Sequence, residues 1–189
     1  MLSTESKRQL LKIARDAIVN ALEERGEDMS FVQDEALLTP SGAFVTLRSH
    51  GALRGCIGYI ESILPLANVV EEVAVKAALE DPRFPPLTSA EVKDMIIEVS
   101  VLSPLVRVEN IEEINVGAHG LLLELGPRRG LLLPQVATEY HWDRLAFLNA
   151  TARKAGLPED GWRHPEAKLY RFTAEIVEET EESQDARPS

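Results

Sequence analysis

The feature that most constrains the fold is a strand-turn-strand pattern followed by a helical pattern, which occurs twice. In each copy, two apolar runs flank a polar or glycine-containing turn, and a proline then opens the helix. The two copies begin at Gly42 and Gly120, which are 78 positions apart. This repeat predicts two related units that arose by internal duplication. The predicted strands are Ala43–Leu47, Leu53–Ile60, Gly120–Leu125 and Leu131–Leu133, and the helices that follow them begin at Pro65 and Pro134.

Further patterns complete an α+β domain over residues 1–178. An amphipathic helix is predicted over residues 4–25, followed by an irregular segment over 27–40. Two intimately packed halves are predicted over 27–95 and 96–178, and a disordered acidic tail over 179–189. Further predicted elements are a short helix at 90–94, a strand at 96–102, a helical turn at 111–114, one continuous helical region at 134–155 and a last strand at 169–177.

Composition excludes several classes of function. The net charge of −11 disfavours nucleic acid as the main partner. No apolar run approaches the roughly 20 residues that cross a bilayer, and no secretory pattern opens the chain, so we expect no membrane association and a cytoplasmic location. A single cysteine cannot form an intrachain disulfide.

The run from Gly51 to Gly58 contains the candidate reactive residue, because it includes the single cysteine, Cys56. In a regular strand, Arg54 and Cys56 point to the same face, where the arginine would stabilise a thiolate. A bulge between them would turn the two side chains apart. Cys56 is therefore a candidate nucleophile, and the alternative is a small buried side chain chosen for packing.

A cysteine nucleophile also needs a group that accepts its proton. His50 lies at the tip of the first hairpin and is expected to face water. His119, which precedes the second hairpin, is the better candidate if the two halves face each other across a cleft. Glu98 is a second candidate, because it alternates with the apolar residues of its strand and shares a face with Ser100.

Two arginines predict an anion site beside this cysteine. Arg54 and Arg83 are suited to a carboxylate or phosphate, because a guanidinium donates two parallel hydrogen bonds. The alternative is a structural salt bridge of either arginine with Glu98 or Asp81. Gly55 and Gly58 mark a place where a ligand, or another part of the backbone, comes close to the strand.

Motifs for the familiar cofactor and metal classes are absent from the sequence. There is no phosphate-binding loop, no dinucleotide fingerprint, no hydrolase elbow and no zinc-protease motif. Four scattered histidines and one cysteine do not predict a metal site. We expect no cofactor and no metal.

Several motifs together resemble the AMME-syndrome chromosomal region protein family, whose AMMECR-one-like domain they follow in order. The resemblance implies an α+β fold with a strongly curved, barrel-like sheet, built from two related strand-and-helix halves and flanked by helices. It also implies a cleft lined by the strand that carries Leu-Arg-Gly-Cys-Ile-Gly. The motifs are Gly42–Leu47, Leu53–Gly58, Asp81–Phe84, Ile97–Leu102, His119–Gly120 and Leu132–Ala137.

The resemblance leaves the activity open, because the family has no settled biochemical function. One hypothesis is a cleft around Arg54, Cys56, Arg83, Glu98 and His119 that binds a small anionic ligand and acts on it. The other is a non-catalytic module that works with a Memo-like protein and a radical S-adenosylmethionine enzyme, the partners that the resemblance implies. In that case the loop with Phe84 would contact the partner.

Overall fold

The computed structural model describes residues 1–25 and 32–180. The chain divides into two compact units: Met1–Leu102 with the chain from Glu175 onward, and Ser103–Ala174. Residues 26–31, which include the start of the predicted irregular segment, and 181–189 of the predicted tail lie outside the described residues.

The described chain contains five helices and eight strands. The helices are α1 (Thr4–Leu22), α2 (Glu35–Leu38), α3 (Leu66–Leu79), α4 (Pro134–Glu139) and α5 (Arg144–Lys154), with short 3₁₀ turns at Val92–Asp94, Ile111–Glu113 and Gly161–Arg163. The strands are β1 (Ala43–Ser49), β2 (Ala52–Tyr59), β3 (Met95–Leu102), β4 (Val106–Arg107), β5 (Gly120–Leu125), β6 (Arg128–Leu132), β7 (Lys168–Phe172) and β8 (Ala174–Glu178).

The first unit is a four-stranded antiparallel sheet in the order β2-β1-β3-β8, with α1 and α3 packed on one face. Side chains alternate along a strand, so every second residue joins this core. Val45, Leu47, Ile97 and Val99 are fully buried against the apolar side of α3. The intervening residues of β1, β2 and β3 therefore lie on the opposite face of the sheet, which we call the outer face.

The second unit repeats this connectivity. Its sheet has the order β4-β7-β5-β6, and its core is formed by side chains of β5 and α5. In each unit a hairpin is followed by helix, and the next strand then pairs antiparallel with the first strand of the hairpin. The strand orders β2-β1-β3 and β6-β5-β7 are equivalent, as an internal repeat predicts.

A glycine on the second hairpin strand allows close helix packing in both units. A Cβ atom on Gly55 would lie 2.1 Å from the carbonyl oxygen of Ala77 in α3. A Cβ atom on Gly130 would lie 2.3 Å from the backbone nitrogen of Ala155, which follows α5. Both helices therefore touch the sheet at positions where only glycine fits.

The α+β class is confirmed, and some of its details differ from the sequence predictions. Neither sheet closes on itself, so the barrel-like description goes beyond the structure. The predicted helix over 134–155 is two helices, because His141 adopts a positive φ of 52° and ends α4. The predicted last strand is also two strands, which separate at Thr173 and join different sheets.

Glu179, which the sequence places in the acidic tail, is held by the first unit. Its carboxylate accepts hydrogen bonds from the guanidinium of Arg15, including one of 2.6 Å from Nε. Its backbone N–H donates to the carbonyl oxygen of Ile97 at 3.0 Å. The chain is thus anchored at least as far as this residue.

No helix within residues 1–25 and 32–180 combines the length and apolar character needed to span a membrane.

Candidate functional site

Cys56 lies in a row of polar side chains on the outer face of the first sheet. It pairs with Thr46 on β1, and Thr46 pairs in turn with Glu98 on β3. The Thr46 hydroxyl donates a hydrogen bond to Cys56 Sγ at 3.4 Å. Cys56 as a whole residue is partly buried, and its side chain lies on the sheet face opposite the apolar core.

A second row on the same face runs alongside the first. Gly58 pairs with Phe44, and Phe44 pairs with Ser100. A Cβ atom on Gly58 would lie 2.4 Å from the Phe44 ring, so the glycine leaves room for that ring. Ser100 is fully buried, and its hydroxyl has no hydrogen-bond partner within the described part of the chain.

Two side chains bind the backbone of Cys56 along the unpaired edge of β2. Asp81 Oδ2 accepts a hydrogen bond from the Cys56 backbone N–H at 2.9 Å, and Arg83 Nη2 donates to the Cys56 carbonyl at 3.1 Å. Asp81 and Arg83 also pair with each other through bonds of 2.9 Å (Nε to Oδ1) and 2.6 Å (Nη2 to Oδ2). Because β2 is an edge strand, the pair satisfies backbone groups that another strand would otherwise bind.

This ion pair shifts the pKa values of both groups. Hydrogen bonds from Arg83, followed by those from the Cys56 and Arg83 backbone N–H groups, hold the pKa of Asp81 well below its usual value despite burial. Asp81 raises the pKa of Arg83, and the Cys56 side chain adds to that rise. The Arg83 side chain remains 53% exposed, so one side of its guanidinium is open to solvent.

Arg54 is placed differently from the sequence expectation. In the pairing of β1 with β2, Gly55 faces Leu47 and Leu53 faces Arg48. Arg54, which lies between Leu53 and Gly55, therefore has no partner on β1 and forms a β-bulge. The regular alternation that placed Arg54 beside Cys56 is therefore broken. Its guanidinium donates instead to Glu91 Oε1 at 2.8 Å and to the carbonyl of Pro85 at 2.9 Å.

Arg54 forms a structural salt bridge, which the sequence analysis gave as the alternative to an anion site. Its partner is Glu91, rather than Glu98 or Asp81. Hydrogen bonds from Arg54, and then from the backbone and hydroxyl of Thr88, lower the pKa of Glu91 to about 2. The salt bridge of Arg83 with Asp81 matches the same alternative. Ligand binding by Arg54, Gly55 and Gly58 stays a prediction, and each of these residues has a packing or bonding role that accounts for it.

His119 belongs to the second unit. Its Nδ1 accepts a hydrogen bond from the backbone N–H of Asn115 at 3.1 Å. Nε2 lies 3.5 Å from Arg171 Nη1. Burial, and then the charge of Arg171, lower the pKa of His119, while the Glu113 carbonyl opposes the shift. The predicted role of His119 as a base stays a prediction.

A family model described as AMMECR1 matches residues 11–177. The chain belongs to the AMMECR1 family. The resemblance inferred from the sequence motifs is thereby confirmed, and it covers nearly the whole described chain.

Relatives of this AMMECR1 chain occur in archaea. A protein of Methanothermobacter thermautotrophicus is 46% identical over 187 residues, which cover 94% of this chain and 96% of that protein. A protein of Methanopyrus kandleri is 41% identical over 189 residues, covering 95% and 91%. The crystal structure of an uncharacterised protein from Pyrococcus horikoshii is similar with a TM-score of 0.89 and 39% identity, covering 94% of this chain and 93% of that one.

Two residues that the sequence did not single out, Thr46 and Arg48, lie on the same face as Cys56. The sequence prediction ended the first strand at Leu47 and placed Arg48 in the polar turn, whereas β1 continues to Ser49. Strand alternation does predict that they share a face with Phe44. The signal that was missing is the register with β2 and β3, which brings Thr46 between Cys56 and Glu98.

Proposed function

We propose that the outer face of the first sheet binds a small anionic molecule and holds it against the thiol of Cys56. The observation that supports this most directly is the hydrogen bond from Thr46 to Cys56 Sγ, within a row that continues to Glu98. A cysteine chosen only for packing needs no polar row. A thiol that contacts a ligand benefits from a neighbouring donor that stabilises negative charge on sulfur.

The surrounding groups have distinct roles in this proposal. Asp81 and Arg83 fix the backbone on both sides of Cys56. Arg83, whose charge Asp81 balances, contributes hydrogen-bond donors rather than net charge. Ser100 offers a buried hydroxyl on the same face. In this proposal, Glu98 exchanges a proton with the ligand. We also propose a cytoplasmic location, because a free thiol suits a reducing compartment.

The test uses two reagents that differ in charge. Iodoacetate is an anion and iodoacetamide is neutral, and Cys56 is the single cysteine of the chain, so each rate reports on one sulfur. The ratio of the two rates is measured for the folded protein and for the same chain in urea. We expect the ratio to be about three- to tenfold higher in the folded protein, as expected for a positive charge several ångströms from the sulfur.

Either of two results would contradict the proposal. A thiol that reacts with neither reagent until the chain unfolds serves packing alone. Equal ratios in the folded and unfolded chain mean that the site has no preference for anions.

A second candidate function is that of a non-catalytic module that binds partner proteins. The structure of the loop that follows α3 supports this candidate. Arg83 lies over the ring of Phe84, 5.5 Å from its centre, and the loop is fixed by a 2.8 Å hydrogen bond from Leu87 N–H to the Ala78 carbonyl. A rigid, partly exposed aromatic residue is typical of a binding anchor. We propose a Memo-like protein and a radical S-adenosylmethionine enzyme as the partners to test.

This candidate is tested with purified proteins. Phe84→Ala should weaken binding to one of the two partners at least tenfold, as for an aromatic anchor, whereas Cys56→Ser should not. Equal binding by wild type and Phe84→Ala, at equal thermal stability, would exclude this loop as the contact.

A further inference from the structure

We infer that Arg48, rather than Arg54 or Arg83, receives the charge of the anionic ligand. The inference rests on the proposed function of the Cys56 face and names the residue that recognises the ligand there. In the regular pairing of β1 with β3, Thr46 faces Glu98 and Arg48 faces Ile96. Residues two apart on a strand share a face, so Arg48 lies on the outer face about 7 Å along the strand from Thr46.

The three arginines around Cys56 differ in what already binds them. Arg54 is paired with Glu91, and its remaining donors reach the carbonyls of Pro85 and Pro86. Arg83 is paired with Asp81. Each of these two pairs is neutral as a whole, so it attracts an anion weakly.

Arg48 is partly buried, yet it has no hydrogen bond or ion pair with any residue in the described ranges. Removing part of a guanidinium from water without a partner is unfavourable, and a bound anion would offset that cost. Glu98, the carboxylate on the same face, has a contact of its own. Among the described residues, Arg48 is therefore the arginine of this face whose charge no ion pair balances.

The arrangement defines the class of ligand. A guanidinium binds the two oxygens of a carboxylate or a phosphate in parallel. The Thr46 hydroxyl and Cys56 Sγ lie about two residues farther along the face, which corresponds to about 7 Å. The ligand expected here is a small molecule with an oxyanion at one end and the group that meets the thiol a few bonds away.

The experiment compares Arg48 variants in the two-reagent assay. Arg48→Gln should lower the iodoacetate-to-iodoacetamide ratio of the folded protein to that of the unfolded chain. Arg48→Lys should keep most of the preference, because it keeps the charge. Arg8→Gln removes a charge from an exposed pair on α1 and should leave the ratio unchanged. Protection of Cys56 from iodoacetamide by acetate or by inorganic phosphate, at equal ionic strength, then distinguishes a carboxylate from a phosphate.

The outcomes separate this inference from the function on which it rests. A wild-type preference that survives Arg48→Gln and falls with Arg83→Gln overturns the role of Arg48 and leaves the anion site in place. A wild-type protein without any preference for iodoacetate overturns both. A preference that falls equally in Arg48→Gln and Arg8→Gln reflects overall charge and also overturns the inference.

Discussion

Asp81 Oδ2 accepts a hydrogen bond from the backbone N–H of Cys56 at 2.9 Å, although the two residues are 25 positions apart in the chain. The Asp81 side chain is only 2% exposed, and it also binds Arg83. One carboxylate thus joins the proline-rich loop after α3 to the strand that carries the thiol. The geometry of the proposed site depends on this bond.

Replacing Asp81 should therefore destabilise the protein in a pH-dependent way. Asp81→Asn keeps an oxygen for the Cys56 N–H but loses the ion pair with Arg83, and we expect a loss of about 1–3 kcal/mol at pH 7. The folded pKa of Asp81 is depressed, so its contribution is present above the unfolded pKa of about 3.9 and is lost as pH falls below it.

Urea denaturation at pH 7 and pH 3 measures this effect. The difference in unfolding free energy between wild type and Asp81→Asn should shrink at pH 3. Asp16→Asn, in an exposed pair with Lys12, should change stability by less than about 0.5 kcal/mol. A difference for Asp81→Asn that is the same at both pH values would show that its ionisation does not stabilise the fold.

Gly55 should not tolerate even one added methyl group. Its Cβ position lies 2.1 Å from the Ala77 carbonyl, so Gly55→Ala forces α3 away from the sheet. We expect a loss of about 1–3 kcal/mol, as for an overpacked core, and a similar loss for Gly130→Ala in the second unit. The measurement is the urea midpoint at unchanged slope. Ala52→Ser, at the exposed end of the same strand, is the control, and a Gly55→Ala midpoint equal to that control would contradict the close packing.

Alternation and helical spacing predicted the two hairpins, α3 and β3, because those patterns follow from local burial. Breaks within elements were missed. No proline or glycine marks the end of α4, where His141 takes the left-handed conformation that usually favours glycine. The division between β7 and β8 leaves no local mark either, because the two strands differ only in which sheet they join.

The candidate site was predictable in part for the same reason. Cys56 and Glu98 were found as chemistry-bearing residues on strands, and the structure adds the Thr46 that lies between them. The orientation of Arg54 was not predictable from the sequence. It depends on a one-residue bulge and on a salt bridge with Glu91, which lies 37 positions away. Long-range register and long-range pairing leave no periodic signal in the sequence.

His119 should titrate below its usual range. Burial and the charge of Arg171 both lower its pKa from 6.5, and Arg171→Met should raise the pKa by removing the charge. Because the folded pKa is depressed, the contribution of His119 to stability is present above about pH 6.5 and declines as pH falls toward the folded pKa. Titration of the His119 ring signals by NMR, in wild type and in Arg171→Met, measures the shift. A pKa for His119 that Arg171→Met leaves unchanged would contradict this cause.

The central claim is that an anion binds on the sheet face that carries Cys56, and protection of its thiol tests that claim most directly. The rate of alkylation by iodoacetamide, which is neutral, is measured with increasing phosphate, acetate or succinate, while sodium chloride keeps the ionic strength constant. The account predicts that at least one of these oxyanions slows the reaction of the folded protein to a saturable limit and has no effect on the chain in urea. A rate that stays constant across all three, in a protein whose Cys56 reacts readily, would contradict it.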